Sequence, residues 1–152
     1  MKTALSFEKL LDQWEIDCKL DSSDLAAETM RTAVMHAKYL RHITYAKLLK
    51  SARKDKYDKL RLKKWEYFNG RLTKTEMDEL GWSYDPFNGG SKPMKNDMNA
   101  YLDTDKDLAE LKAKLMMDQT TIELIEEIIN TIRWRHSSIK NILESKKFDA
   151  GY

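Results

Sequence analysis

Apolar residues recur along this chain at helical rather than strand spacing. Phe7, Leu10, Leu11 and Trp14 form a short first stripe behind Ser6, a helix-capping residue type, with Leu5 and Leu10 placed as a hydrophobic staple. Asp21-Ser22-Ser23-Asp24 is a second start signal. After it Leu25, Met30, Val34, Ala37, Leu40, Ile43 and Leu48 keep a rough helical period as far as Ala52. No breaker follows before Asn69-Gly70, so the pattern predicts one helix of about 45 residues. Past Ala52 the apolar stripe thins, and a helix with no core beneath it needs a partner or a ligand.

Thr73-Lys74-Thr75-Glu76 reads as a capping box opening a short helix that Gly81 closes. From Trp82 to Asn99 the chain holds both prolines, Gly89-Gly90 and three aromatics, which predicts a long loop. Thr104-Asp105-Lys106-Asp107 opens a last long helix with acidic residues in its first turn. Its apolar positions Leu108, Leu111, Leu115, Ile122, Ile125, Ile129, Ile132, Ile139 and Leu143 alternate by three and four, with Asp118 and His136 in the two remaining slots. That is a heptad seam of about five repeats. A second line through Leu124, Ile128 and Ile142 widens it, as in a helix packed against more than one neighbour. An intrachain partner or a second copy could fill such a seam. The expected architecture is all-α, a long-helix bundle whose C-terminal heptad helix forms a ring-like homo-oligomer.

Composition agrees. Five Gly and two Pro in 152 residues leave few turns, which suits long helices in one domain. The single cysteine, Cys18, cannot form an internal disulfide and suits a reducing compartment. No apolar run is long enough to span a bilayer, and Met1-Lys2-Thr3-Ala4-Leu5 meets acidic residues too soon for a signal peptide. A soluble intracellular protein, with no membrane contact, is expected.

The net charge of +2 conceals a strong segregation. Residues 1–37 carry four Lys/Arg against seven Asp/Glu, whereas residues 38–74 carry thirteen against three. Residues 75–130 then carry five against thirteen. One anion-binding element would produce this pattern, and so would oppositely charged helices packed side by side. Within the basic stretch Lys50, Lys54, Arg61, Lys64 and Arg71 fall near one helical face, with Tyr57 and Phe68 between them, Arg53 nearby, and Lys56, Lys59 and Lys63 in a neighbouring row. Lysine and arginine neutralise phosphates without reading sequence. Trp65, Tyr67 and Phe68 would offer stacking surfaces to unpaired bases, favouring single strands over duplex. The bland alternative is a solvated charged face with its aromatics turned into a core.

Catalytic readings find little support. Asn88-Gly89-Gly90-Ser91 lacks the spacing and the following Lys-Ser/Thr of a phosphate loop. His36, His42 and His136 have no acidic residue at metal-pair spacing, and Glu-x-x-His does not occur. Glu123, Glu126 and Glu127 suit the exposed flank of a heptad helix, and Cys18 has no obvious base. Neither an enzyme nor a cofactor or metal site is expected.

In order and spacing, several segments resemble the UvsY family of phage recombination mediators. They are Asp21-Ser22-Ser23 leading to Val34-Met35 and Lys38-Tyr39-Leu40, the turn Tyr67-Phe68-Asn69-Gly70-Arg71, Thr104-Asp105-Lys106-Asp107, and the tail Ile139-Lys140-Asn141-Ile142 through Phe148-Asp149-Ala150-Gly151. The likeness is strongest over residues 21–71 and 104–151, and the stretch from Leu72 to Leu102 departs most. The resemblance implies a ring-like hexamer to heptamer in the cytoplasm of the infected bacterial host. It implies binding of single-stranded DNA, displacement of the phage single-strand-binding protein, and loading of a UvsX-type recombinase into the presynaptic filament. It puts the DNA-contacting basic residues just before the aromatic-Gly-Arg turn, where this chain has Arg61, Lys63 and Lys64.

The expected layout is therefore a single helical domain over 1–152. Residues 1–74 supply N-terminal helices with the basic segment 50–71, residues 75–103 a short helix and loop, and residues 104–146 the oligomerisation helix. A structural or adaptor bundle, its basic helix docked on an acidic protein, is the alternative of another class.

Overall fold

A computed structural model gives the fold and describes residues 6–151. The described residues form five helices and no strand: α1 (Phe7–Asp17), α2 (Leu25–Phe68), α3 (Lys74–Leu80), α4 (Met98–Thr104) and α5 (Lys106–Asp149). The protein is all-α, as the periodicity predicts. Leu5, the first half of the expected staple, lies outside the described residues.

Local chemistry sets most helix ends. Ser6 accepts from the Lys9 amide, and Asp24 Oδ1 accepts from the Ala27 amide at the start of α2. α2 is 44 residues long and stops where expected. Gly70 takes φ +67°, so the Arg71 amide reaches the Glu66 carbonyl and the Gly70 amide that of Tyr67. This double closure needs a left-handed residue, which glycine adopts without a Cβ clash. Thr73 and Glu76 form the capping box of α3, and Gly81 closes it. Asp105 Oδ1 accepts from the Asp107 and Leu108 amides, starting α5.

The chain gathers into two compact units, one of Met1–Lys50 with Met117–Tyr152 and the other of Ser51–Met116. In the first, Leu10, Met35, Tyr39 and Ala46 are buried together with Ile122, Ile125, Ile128, Ile129 and Ile132. Each such isoleucine withdrawn from water contributes about 1.5–3 kcal/mol. Tyr39 is fully buried, and its hydroxyl donates to Asp17 Oδ2 at 3.0 Å. Burial alone would raise the pKa of Asp17, but the bonds from Lys38 (2.5 Å) and Tyr39 outweigh it and hold that carboxyl low. Arg135 pairs with Glu28 in the same unit, both nearly inaccessible, and donates to the Cys18 and Lys19 carbonyls.

Two sequence expectations change here. Met30, Val34, Ala37, Leu40 and Leu48 belong to the apolar period of α2, yet they are exposed, Met30 at 74% and Val34 at 71%. The buried line runs instead through Glu28, Met35, Tyr39 and Ala46. It contains a charge, which Arg135 neutralises, so counting apolar residues favours the wrong face. In α5 the seam residues Ile122, Ile125, Ile129, Ile132 and Ile139 are buried within the chain itself, while His136 and Leu143 are exposed.

The second unit encloses Tyr67, Phe68, Leu72, Met98, Leu102 and Leu108, with Tyr57, Leu60, Trp65, Met77, Trp82 and Phe87 packed against them. Seam residue Leu111 is buried and Leu115 half-buried. No helix among the described residues is long and apolar enough to cross a membrane.

Candidate nucleic-acid interface

The basic half of α2 lies in the second unit, and its cations fall into three groups by burial. Lys54, Lys56 and Lys59 are exposed. Lys54 pairs with Asp58 one turn on, and Lys59 with Asp55 at 2.7 Å. Such surface pairs contribute about 0–1 kcal/mol, so a phosphate can replace either carboxylate at little loss. Lys56 has no carboxylate partner among the described residues.

Arg53, Arg61 and Lys63 are half-buried. Arg61 donates to Asp103 at 3.1 Å, and more weakly to Asn99 and Tyr57. Burial works against the guanidinium charge, but Asp103 and Tyr57 more than offset it and raise the pKa. Lys63 sits 3.1 Å from Glu76 and 3.4 Å from Glu66, and its pKa is raised chiefly by the Glu76 bond. Glu76 is held down to about 2, first by the Thr73 amide and then by Lys63. The stabilisation from that depressed carboxyl is therefore present above its ordinary 4.5 and lost as pH falls through about 2.

Lys64 forms the third group and corrects the sequence reading. It is 6% exposed, its ammonium lies 2.8 Å from both Asp105 and Asp107, and it sits 4.4 Å from the Trp82 ring centroid. Burial favours the neutral amine, yet the two carboxylates outweigh it and raise the pKa. A lysine so held fastens α2 to the start of α5 and is not open to a phosphate. Lys54 and Lys64 lie about 80° apart around the helix, on the same broad side, yet Lys54 is exposed and Lys64 is buried by the residues packed over it. Arg71 lies beyond the end of α2, exposed, with its guanidinium 4.5 Å from the Trp65 ring centroid. Lys50 belongs to the first unit and donates to Gln119 at 2.5 Å.

The aromatics change role too. Tyr67 and Phe68 were expected to offer stacking faces, but both are buried. The Tyr67 hydroxyl donates to the Ser83 carbonyl at 2.7 Å and its ring meets Trp82, while Phe68 stacks on Phe87. Tyr57 packs half-buried against the same core. The 82–99 loop, which sequence reasoning left without a role, thus covers the aromatic end of α2. The signal that could have found this was its own aromatic content, Trp82, Tyr84 and Phe87.

Comparison with known proteins bears on the family and the fold. The family model described as "Recombination, repair and ssDNA binding protein UvsY" matches residues 13–152. Among solved structures, the chain is similar to the bacteriophage T4 recombination mediator protein UvsY in lattice type II. There the TM-score is 0.79 at 20% identity, covering 96% of this chain and 98% of that one. Lattice type I gives 0.78 at 20% identity (93% and 98% covered), and lattice type IV gives 0.76 at 17% (95% and 99%). No curated protein matches in sequence. At these identities the structural likeness speaks for the fold, and the family model for membership.

Proposed function

The chain belongs to the UvsY family of recombination, repair and single-stranded-DNA-binding proteins, and on that premise we propose that it is a recombination mediator. It binds single-stranded DNA, helps displace a single-strand-binding protein, and loads a UvsX-type recombinase to assemble the presynaptic filament. The observation that carries the reading is the family match over residues 13–152, which includes the cation-rich half of α2.

The grip is electrostatic. The exposed Lys54, Lys56 and Lys59 of α2, with the half-buried Arg53, Arg61 and Lys63, meet the phosphates. Lys64, Tyr67 and Phe68 support this surface from beneath. Several copies presenting such surfaces to one strand convert weak single-site binding into strong binding. Copies associate through the apolar residues that the fold leaves exposed in the first unit, Met30, Val34 and Leu48 of α2 and Trp134, Leu143 and Phe148 of α5.

Filament assembly on single-stranded DNA pre-coated with single-strand-binding protein tests the mediator role. The protein shortens the lag before recombinase ATP hydrolysis begins on the coated strand. An unchanged lag across a range of protein concentrations contradicts it.

A further inference from the structure

Between the end of α2, α3 and the 82–99 loop lies a cavity of about 350 Å³. Its walls include Phe68, Leu72, Met77, Tyr84 and Phe87, and Lys92 and Gly70 also line it. Phe68 and Phe87 lie nearly parallel, 5.9 Å between centroids. Tyr84 is 56% exposed and fixed by its hydroxyl, which donates to Asp78. The loop wall is tightly organised. Asp85 accepts from the Phe87 amide at 3.0 Å and the Gly89 amide at 2.5 Å, and Asn88 and Gly89 both take positive φ. Gly90 passes so close to Phe87 that a Cβ there would lie 3.0 Å from its carbonyl oxygen.

The cations near this cavity are less compensated than most of those on α2. Lys92 lines it and Lys74 stands 5.8 Å from the Tyr84 ring centroid, while Arg71, next to the lining Gly70, rests its guanidinium on the Trp65 ring. None of the three has a carboxylate partner among the described residues, whereas Lys54, Lys59, Arg61, Lys63 and Lys64 all do. An aromatic recess with Lys92 in its lining and Lys74 beside Tyr84 suits a ligand that is flat and apolar on its faces and anionic at its edges. A nucleotide in a single strand has that form, its base presented to aromatic rings and its phosphates to lysine and arginine. The volume falls in the range of small-ligand sites.

We propose that this cavity takes one unstacked nucleobase of the bound strand, with Tyr84 as its stacking face and Lys74 and Lys92 holding the flanking phosphates. The proposal rests on the single-stranded-DNA reading above and adds to it a base-dependent component of binding. It also gives the 82–99 loop a task. A duplex, whose bases are already stacked, cannot use the site.

The test compares an oligothymidylate with an abasic deoxyribose-phosphate strand of equal length, each labelled and followed by fluorescence anisotropy. Wild-type protein is expected to bind the abasic strand about tenfold more weakly. Tyr84→Ala is expected to bring that ratio close to one, and Lys92→Glu to weaken binding of both strands. Equal affinity of the wild type for the two strands overturns the base site while leaving the phosphate grip intact. A tenfold ratio that persists in Tyr84→Ala also overturns it. Binding of neither strand overturns the single-stranded-DNA reading and the base site with it. Both residues are exposed, and circular dichroism melting confirms that the variants are folded.

Discussion

Lys64 carries its charge where solvent hardly reaches, and this decides what its removal does. With both carboxylates at 2.8 Å and the Trp82 ring beneath, Lys64→Ala leaves Asp105 and Asp107 without their buried counter-ion. Lys64 and Asp105 are both nearly inaccessible, and breaking such a pair from one side costs about 3–5 kcal/mol, whereas the half-exposed Asp107 adds little. Urea unfolding should show a loss of that order, whereas Lys54→Ala should fall within about 1 kcal/mol of wild type. Equal stability of the two variants would contradict the assignment of Lys64 to the core. Sequence alone did not separate them, because both are lysines in one basic run. The partners that make Lys64 structural lie far along the chain, at the start of α5. Tyr67 and Phe68 were misassigned for the same reason, since their companions Trp82 and Phe87 come from the loop. By contrast the caps at Ser6, Thr73 and Asp105, and the left-handed Gly70 and Gly81, were legible because each acts within a few residues.

At the level of elements, the long helices α2 and α5 follow from unbroken periodicity and good helix formers, and both are 44 residues long. α4 escaped the sequence reading because it has only seven residues, and Asp97 makes no side-chain cap bond. The faces were harder than the lengths. The heptad pattern of α5 is present but is satisfied inside the chain, since Ile122, Ile125, Ile129 and Ile132 pack with Tyr39 and Met35. Apolar residues left over on α2 and α5 are therefore the surface available to a second copy. Val34→Glu combined with Leu48→Glu should sediment as a smaller species than wild type without loss of helicity. A double variant of unchanged size would remove this face as the assembly surface.

At the level of the whole molecule, charge segregation is the feature that ties sequence to function. The thirteen cations in residues 38–74 are the property a strand of phosphates would recognise. The structure redistributes them, with Lys64 withdrawn into the core and Lys54, Lys56 and Lys59 left in solvent. A phosphate grip on those exposed lysines releases counterions, so it must be visible as a salt dependence. The direct measurement is the slope of log affinity against log salt for a single-stranded oligonucleotide, in wild type and in Lys54→Gln/Lys56→Gln/Lys59→Gln. Three lost phosphate contacts should flatten the slope by about 2 and weaken binding most at low salt. A variant that keeps both the wild-type slope and the wild-type affinity would contradict the placement of the DNA grip on α2.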